Sequence, residues 1–225
     1  MVRAIPNLPP FFISYAHAGF DSNNAAQRFY NELRGDLQTL VGRPVGTSMG
    51  FFDAEGLRTG VRWRDELADA LGKCQVLVAL LSVPYLGSEW CGKEWHAFTL
   101  RERELLPVAT GFKNQDPIIP IRWAPIPFEL PPVVKDEAQF FKPQSSRDPQ
   151  KAKDQQSIRD QLDLAERYEE DGIFGLLRKG ELDGFRGVVW DLAKCIQQIY
   201  YNQLLKPREI DPGELRNVFK DGGVQ

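Results

Sequence analysis

The run QVLVALL at residues 75–81 is apolar at odd and even positions alike. A strand with one wet face alternates, whereas a strand covered on both faces does not. This run therefore fits the interior of a sheet with helices on each side. Shorter runs of the same kind recur at 10–14 (PFFIS), 50–52 (GFF), 118–123 (IIPIRW) and 139–141 (QFF). Between them lie apolar stripes at helical spacing. Phe29, Leu33, Leu37 and Val41 follow a candidate N-cap at Asp21 or Ser22. Trp63, Leu67, Ala70 and Leu71 form a second stripe, and a third helix is predicted from near Ser88 through Trp95 and Phe98 to Leu105. Strands alternating with helices predict an α/β fold around a parallel sheet.

Beyond residue 142 the pattern changes. Residues 143–154 are polar and form a predicted connector. Ile158, Leu162, Ala165 and Tyr168 mark one further helix, and Phe185, Val188, Val189, Leu192, Ile196 and Ile199 mark another. The segment GIFGLLRKGELDG between them (172–184) has glycines at both ends and is predicted to turn. The expected organisation is a main domain over 8–142, a connector over 143–154, a helical extension over 155–206, and a charged, glycine-rich tail or linker over 207–225.

Several function classes are disfavoured by composition. A formal net charge of −3 provides no basic excess to displace phosphate counterions, so a nucleic-acid partner is not expected. The longest apolar run falls far short of the ~20 residues a membrane span requires, and residues 1–10 lack a secretory signal pattern. Three scattered cysteines (Cys74, Cys91, Cys195) make no disulfide framework, and two histidines (His17, His96) give no zinc-ligand spacing. The expectation is a cytoplasmic protein with no metal site.

Three stretches place chemistry-bearing residues at predicted strand ends, where open α/β sheets bind ligands. PFFISYAH (10–17) puts Ser14 and Tyr15 at such an end; the plain alternative is that Ser14 caps a loop and Tyr15 packs. FFDAEGLRTG (51–60) presents Asp53, Glu55 and Arg58, with no phosphate-cradling glycine motif, and equally fits an ordinary strand–helix connection. SEWCGKE (88–94) places Trp90 and Glu94 four apart on one helix flank. A carboxylate beside an indole is partly desolvated and becomes a candidate functional group. The competing reading makes Glu94 a surface residue paired with Lys93 or Arg101. Cys91 and His96, five apart, do not converge for thiol activation.

Taken together, FFISYAH (11–17), FFDAEGLRTG (51–60) and LLSVPYLGSEWCGKEW (80–95) resemble the Toll/interleukin-1 receptor (TIR) domain family, and its bacterial-type NAD+-cleaving members most of all. The loop departs from the family's usual Pro-Gly ending, with Thr59 before Gly60. The resemblance implies a flavodoxin-like five-stranded parallel sheet flanked by helices. It also implies one of two functions: cleavage of NAD+ to nicotinamide and ADP-ribose or a cyclic isomer, as an immune or antiphage signal, or a non-catalytic adaptor. NAD+ enters as substrate, no cofactor is implied, and self-association through TIR–TIR contacts is expected to complete the site. By the same resemblance Glu94 is the catalytic residue. Trp90 and Phe52 become walls for the nicotinamide, and Ser14, Tyr15, Asp53 and Ser82 become holders of ribose or phosphate.

Overall fold

A computed structural model describes residues 8–44, 46–52, 61–102, 116–135, 140–143, 155–202 and 205–220, with the side chains of 61–63 and 155–163 outside that description. Four parallel strands form the sheet: β1 (Phe11–Ser14), β2 (Gly50–Phe52), β3 (Val76–Leu81) and β4 (Ile118–Arg122), in the order β2-β1-β3-β4. Of the fifth predicted strand, 139–141, Gln139 lies outside the described residues, and the Phe141 N–H donates to the Pro120 carbonyl at 3.1 Å.

Residue parity sorts the strands' side chains between two cores, as strand geometry requires. Phe11, Ile13, Tyr15, Val76, Val78 and Leu80 enter one core, and Phe12, Leu77, Ala79 and Leu81 enter the other. The first core is roofed by α1 (Phe20–Val41), whose buried stripe is Ala26, Phe29, Leu33, Leu37 and Val41. This helix starts before the candidate caps Asp21 and Ser22. Gly19 takes the N-cap position at φ 108°, a conformation that glycine tolerates, and no side chain caps the helix.

On the other face lie α2 (Val61–Lys73), α3 (Val83–Gly87) and α4 (Glu89–Glu102), with the short α5 (Pro132–Lys135) contributing Val134 to the same core. The helix predicted from near Ser88 is α4, and the short α3 before it is an element the sequence reading did not mark. Ser82 accepts from the Tyr85 N–H at 3.3 Å to cap α3, and Ser88 accepts from the Cys91 N–H at 3.3 Å to begin α4. Leu105 lies outside the described residues.

The last two helices, α6 (Gln155–Arg178) and α7 (Leu182–Asn202), pack onto α1 and β4 and supply much of the first core: Tyr168, Ile173, Leu176, Phe185, Val188, Val189, Leu192 and Ile196 are buried there. The predicted turn over 172–184 is mostly helix. It is marked by a kink at Gly172 (φ 68°), and the chain reverses only around Lys179 and Gly180. The kink lays Gly172 on the β4 end, where an added Cβ would sit 2.6 Å from the Trp123 carbonyl oxygen. Residues 205–220, most of them in the stretch expected as tail or linker, lie across the second core as an irregular strap, with Leu205, Ile210 and Leu215 buried. Among the described residues no helix is long and apolar enough to cross a membrane.

Candidate active site

The chain runs outward from β1 to β2 and then back across to β3, so the strand order reverses between β1 and β3. In open α/β sheets the carboxyl ends at such a reversal form a ligand crevice. Ser14 closes β1 there, and Ser82 follows β3.

Ser14 shares parity with Phe12 and faces the second core, fully buried. Its hydroxyl donates a hydrogen bond to Glu94 Oε2 and lies 3.0 Å from the Tyr85 hydroxyl. A serine hydroxyl has one proton. With that proton committed to the carboxylate, the Tyr85 hydroxyl is the donor to Ser14, giving a relay Tyr85 to Ser14 to Glu94. Burial pushes the Tyr85 phenol well above its ordinary pKa, reinforced by Cys91 and Glu94 and opposed by the Ser14 hydrogen bond. The phenol therefore stays protonated and able to donate.

The two cations weighed as surface partners of Glu94 are engaged elsewhere. Lys93 Nζ pairs with Glu89 at 2.7 Å and lies 5.0 Å from the centre of the Trp90 ring. Arg101, 1% exposed, donates to the Leu71 and Cys74 carbonyls at 2.8 and 2.6 Å. Glu94 is half-buried at the sheet edge and tied to a strand 80 residues away in sequence.

The remaining candidates divide into separate groups. Tyr15, one residue past Ser14, turns to the opposite face. It stacks on Phe52 (centroids 5.0 Å), which stacks on Tyr30 (5.1 Å), and the Tyr15 hydroxyl lies 2.9 Å from His17 Nδ1. Tyr15 and Phe52 thus come together, but on the α1 side of β1. Trp90 belongs with Lys93, half-buried. Ser82 both caps α3 and lines a cavity of about 550 Å³ at the carboxyl edge, with Gly19, Asp21, Pro84, Trp123 and Phe174. Asp53 lies outside the described residues, as do Glu55 and Arg58.

Three participants were not singled out from the sequence. Tyr85 was signalled only by its place in SVPYL, where a buried phenol needs a polar partner for its tip. Trp123 and Phe174 form a cavity wall, stacked with centroids 5.9 Å apart and tied by the Phe174 N–H donating to the Trp123 carbonyl at 2.9 Å. No local pattern pairs residues so distant in sequence. Cys91 is buried, and burial, aided by Glu94, raises its thiol pKa, so it is a poor nucleophile. His96 Nδ1 accepts from the Arg216 N–H at 3.3 Å, consistent with its separation from Cys91. Among the described residues no group of histidine, cysteine and carboxylate side chains suits a metal ion.

A family model for the TIR domain matches residues 11–152, which includes the sheet and the relay and stops before α6. Over 109 residues the chain is 29% identical to the probable 2' cyclic ADP-D-ribose synthase BdTIR of Brachypodium distachyon. That alignment covers 46% of this chain and 49% of that protein, so the chain spans about half the length of this curated relative. No solved structure matches the chain.

Proposed function

The chain belongs to the TIR domain family, and we propose that it cleaves the N-glycosidic bond of NAD+, with Glu94 as the catalytic carboxylate. The observation that carries this reading is the relay from the buried Tyr85 and Ser14 to the half-buried Glu94 at the β1/β3 crevice. A surface carboxylate has no need of such an anchor. The likeness to a probable cyclic ADP-ribose synthase supports the same reaction class.

The chemistry suits a fixed anion. When the bond between ribose C1 and the pyridinium nitrogen breaks, its electron pair goes to nitrogen and nicotinamide leaves neutral, so little acid catalysis is needed. Positive charge grows on the ribose as an oxocarbenium-like centre. Water then attacks C1 and loses a proton to give ADP-ribose, or a hydroxyl of the same molecule attacks to give a cyclic isomer. A carboxylate already oriented by Ser14 stabilises that developing charge without having to reorganise. In this proposal the sugar lies at Glu94, and the cavity that Ser82 lines at the same carboxyl edge has room for more of the nucleotide. The reading extends to activation by self-association, because the cavity rim is open and carries Phe20, 81% exposed.

Incubation with NAD+ and chromatography of the products tests the reading. Nicotinamide release that rises in specific activity with protein concentration, and that is lost in Glu94→Gln with the melting temperature retained, is the expected result. Absence of turnover at high concentration and with a crowding agent would identify a non-catalytic interaction module instead. Full activity in Glu94→Gln would remove that residue from the mechanism.

A further inference from the structure

Helix α4, which carries Glu94, is gripped from behind by the chain's C-terminal strap. At one end of the strap the Lys206 carbonyl accepts from Arg101 Nε and Nη2 at 3.4 Å, Gln75 Nε2 donates to the Leu205 carbonyl at 3.2 Å, and the Arg208 N–H donates to the Gly72 carbonyl at 3.1 Å. At the other end Asn217 sits directly on Gly92, where an added Cβ would fall 1.9 Å from Asn217 Oδ1. The Arg216 N–H donates to His96 Nδ1. Phe219 lies against Tyr85 (centroids 5.6 Å, tilted) and edge-on to Trp95 (5.8 Å). Gly92 and His96 stand two residues before and after Glu94, about 200° around the helix in either direction. The strap therefore holds the flank of α4 turned away from the carboxylate, while Phe219 backs the phenol that begins the relay.

We propose that residues 205–220 position the Glu94 carboxylate: Asn217 on Gly92 sets the rotation and depth of α4, and Phe219 on Tyr85 holds the relay that meets it. These residues lie outside the stretch matched by the family model. They are positioning residues, and the proposal rests on the reading of Glu94 as the catalytic group. The seat is tight. Asn217 Oδ1 accepts from the Phe219 N–H at 3.0 Å, and Asn217 Nδ2 is buried with no hydrogen-bond partner among the described residues. A shape-determined contact of this kind is sensitive to a single added methyl group.

Gly92→Ala provides the test, because alanine strengthens a helix while its Cβ collides with Asn217. In the full chain we expect kcat for NAD+ cleavage to fall at least tenfold, with KM within about twofold, since only the transition state needs the carboxylate in register. The double variant Gly92→Ala/Asn217→Gly removes the two severe overlaps, with the Asn217 side chain, leaving a backbone approach of 3.1 Å, and is expected to recover most of that loss. Phe219→Ala should lower kcat as well, and Phe219→Leu should retain more. Wild-type kcat in folded Gly92→Ala, or no recovery in the double variant, would overturn the proposal. If Gly92→Ala fails to fold, Phe219→Ala, which leaves the Gly92 seat untouched, must still lower kcat. A second readout does not depend on turnover: the Glu94 carboxyl titration, followed by carbon NMR, should shift in Gly92→Ala and return in the double variant. Should the wild-type chain leave NAD+ intact, the catalytic reading fails, and the NMR arm still decides whether the strap sets the carboxylate's surroundings.

Discussion

The two faces of the sheet are built from different materials. On the α1, α6 and α7 side the core is aliphatic and aromatic. Most of its polar atoms sit at the margin: the Tyr200 and Tyr201 hydroxyls donate to the Leu8 and Val41 carbonyls at 3.0 and 2.8 Å, Tyr168 accepts from the Arg122 N–H at 3.0 Å, and the buried Arg43 past the end of α1 donates to the Leu8 and Ser48 carbonyls at 2.9 Å. On the α2, α3 and α4 side Ser14, Gln75, Ser82, His96 and Arg101 are buried among the apolar residues, and an irregular strap closes the layer. Apolar packing is tolerant of detail and supplies most of a fold's stability. Buried polar groups are costly to satisfy, yet they fix geometry and concentrate electrostatic effect. One face holds the sheet; the other holds the candidate carboxylate and its relay at a defined place on it.

The contrast is broken or sharpened by substitutions on each side. Glu94→Gln should reduce nicotinamide release by about 10²-fold or more while unfolding stays near wild type, as measured by turnover and calorimetry together. Leu192→Ala, on the opposite face and fully buried, should do the reverse. It should cost about 2–5 kcal/mol in denaturant unfolding and leave the activity of the folded fraction intact. If Leu192→Ala altered kcat as strongly as Glu94→Gln, the two faces would not be functionally separate. Tyr85→Phe removes the donor to Ser14 and should cost about 1 kcal/mol of stability, with a fall in kcat smaller than that of Glu94→Gln. An unchanged kcat would show the relay to be a packing device.

The smallest expected effect is a pH dependence away from the site. Burial raises Asp116, just before β4 at the amino edge, to about 6, opposed by the hydrogen bond that the Ile118 N–H donates to it. A raised carboxyl pKa means that folding favours the protonated form. Its stabilising contribution is complete below the ordinary value of 3.8 and is lost as pH rises through about 6. Asp116→Asn should flatten the fall in urea midpoint across that window, on the order of 1 kcal/mol once solvent exposure is allowed for, with turnover at neutral pH unaffected.

Much of the sheet was legible because a doubly covered strand leaves a run no helix surface would carry: GFF at 50–52 is β2 as expected, and QVLVALL contains β3 after its first residue. The stripe Phe29, Leu33, Leu37 and Val41 marked the buried face of α1 for the same reason. Local rules failed where tertiary contact overrode them. Glycines at both ends of 172–184 read as a turn, yet the chain is helical on either side of Gly172, which takes a positive, non-helical φ and docks on Trp123. Strap residues such as Ile210 look like tail because their contacts lie far upstream in sequence, as Gly72 does for Ile210. At the site, spacing placed Glu94 beside Trp90 on one helix flank. Its bond to Ser14, across 80 residues, required the fold.

The strap also gives the second face an order in time. A ribosome delivers β1, α3 and α4 well before Asn217 and Phe219, so during synthesis the helix bearing Glu94 exists without the segment that seats it. The first face can collapse as α7 emerges, while the second is left waiting for residues 205–220. Completion of the layer behind the carboxylate is thus tied to the chain being made through the strap.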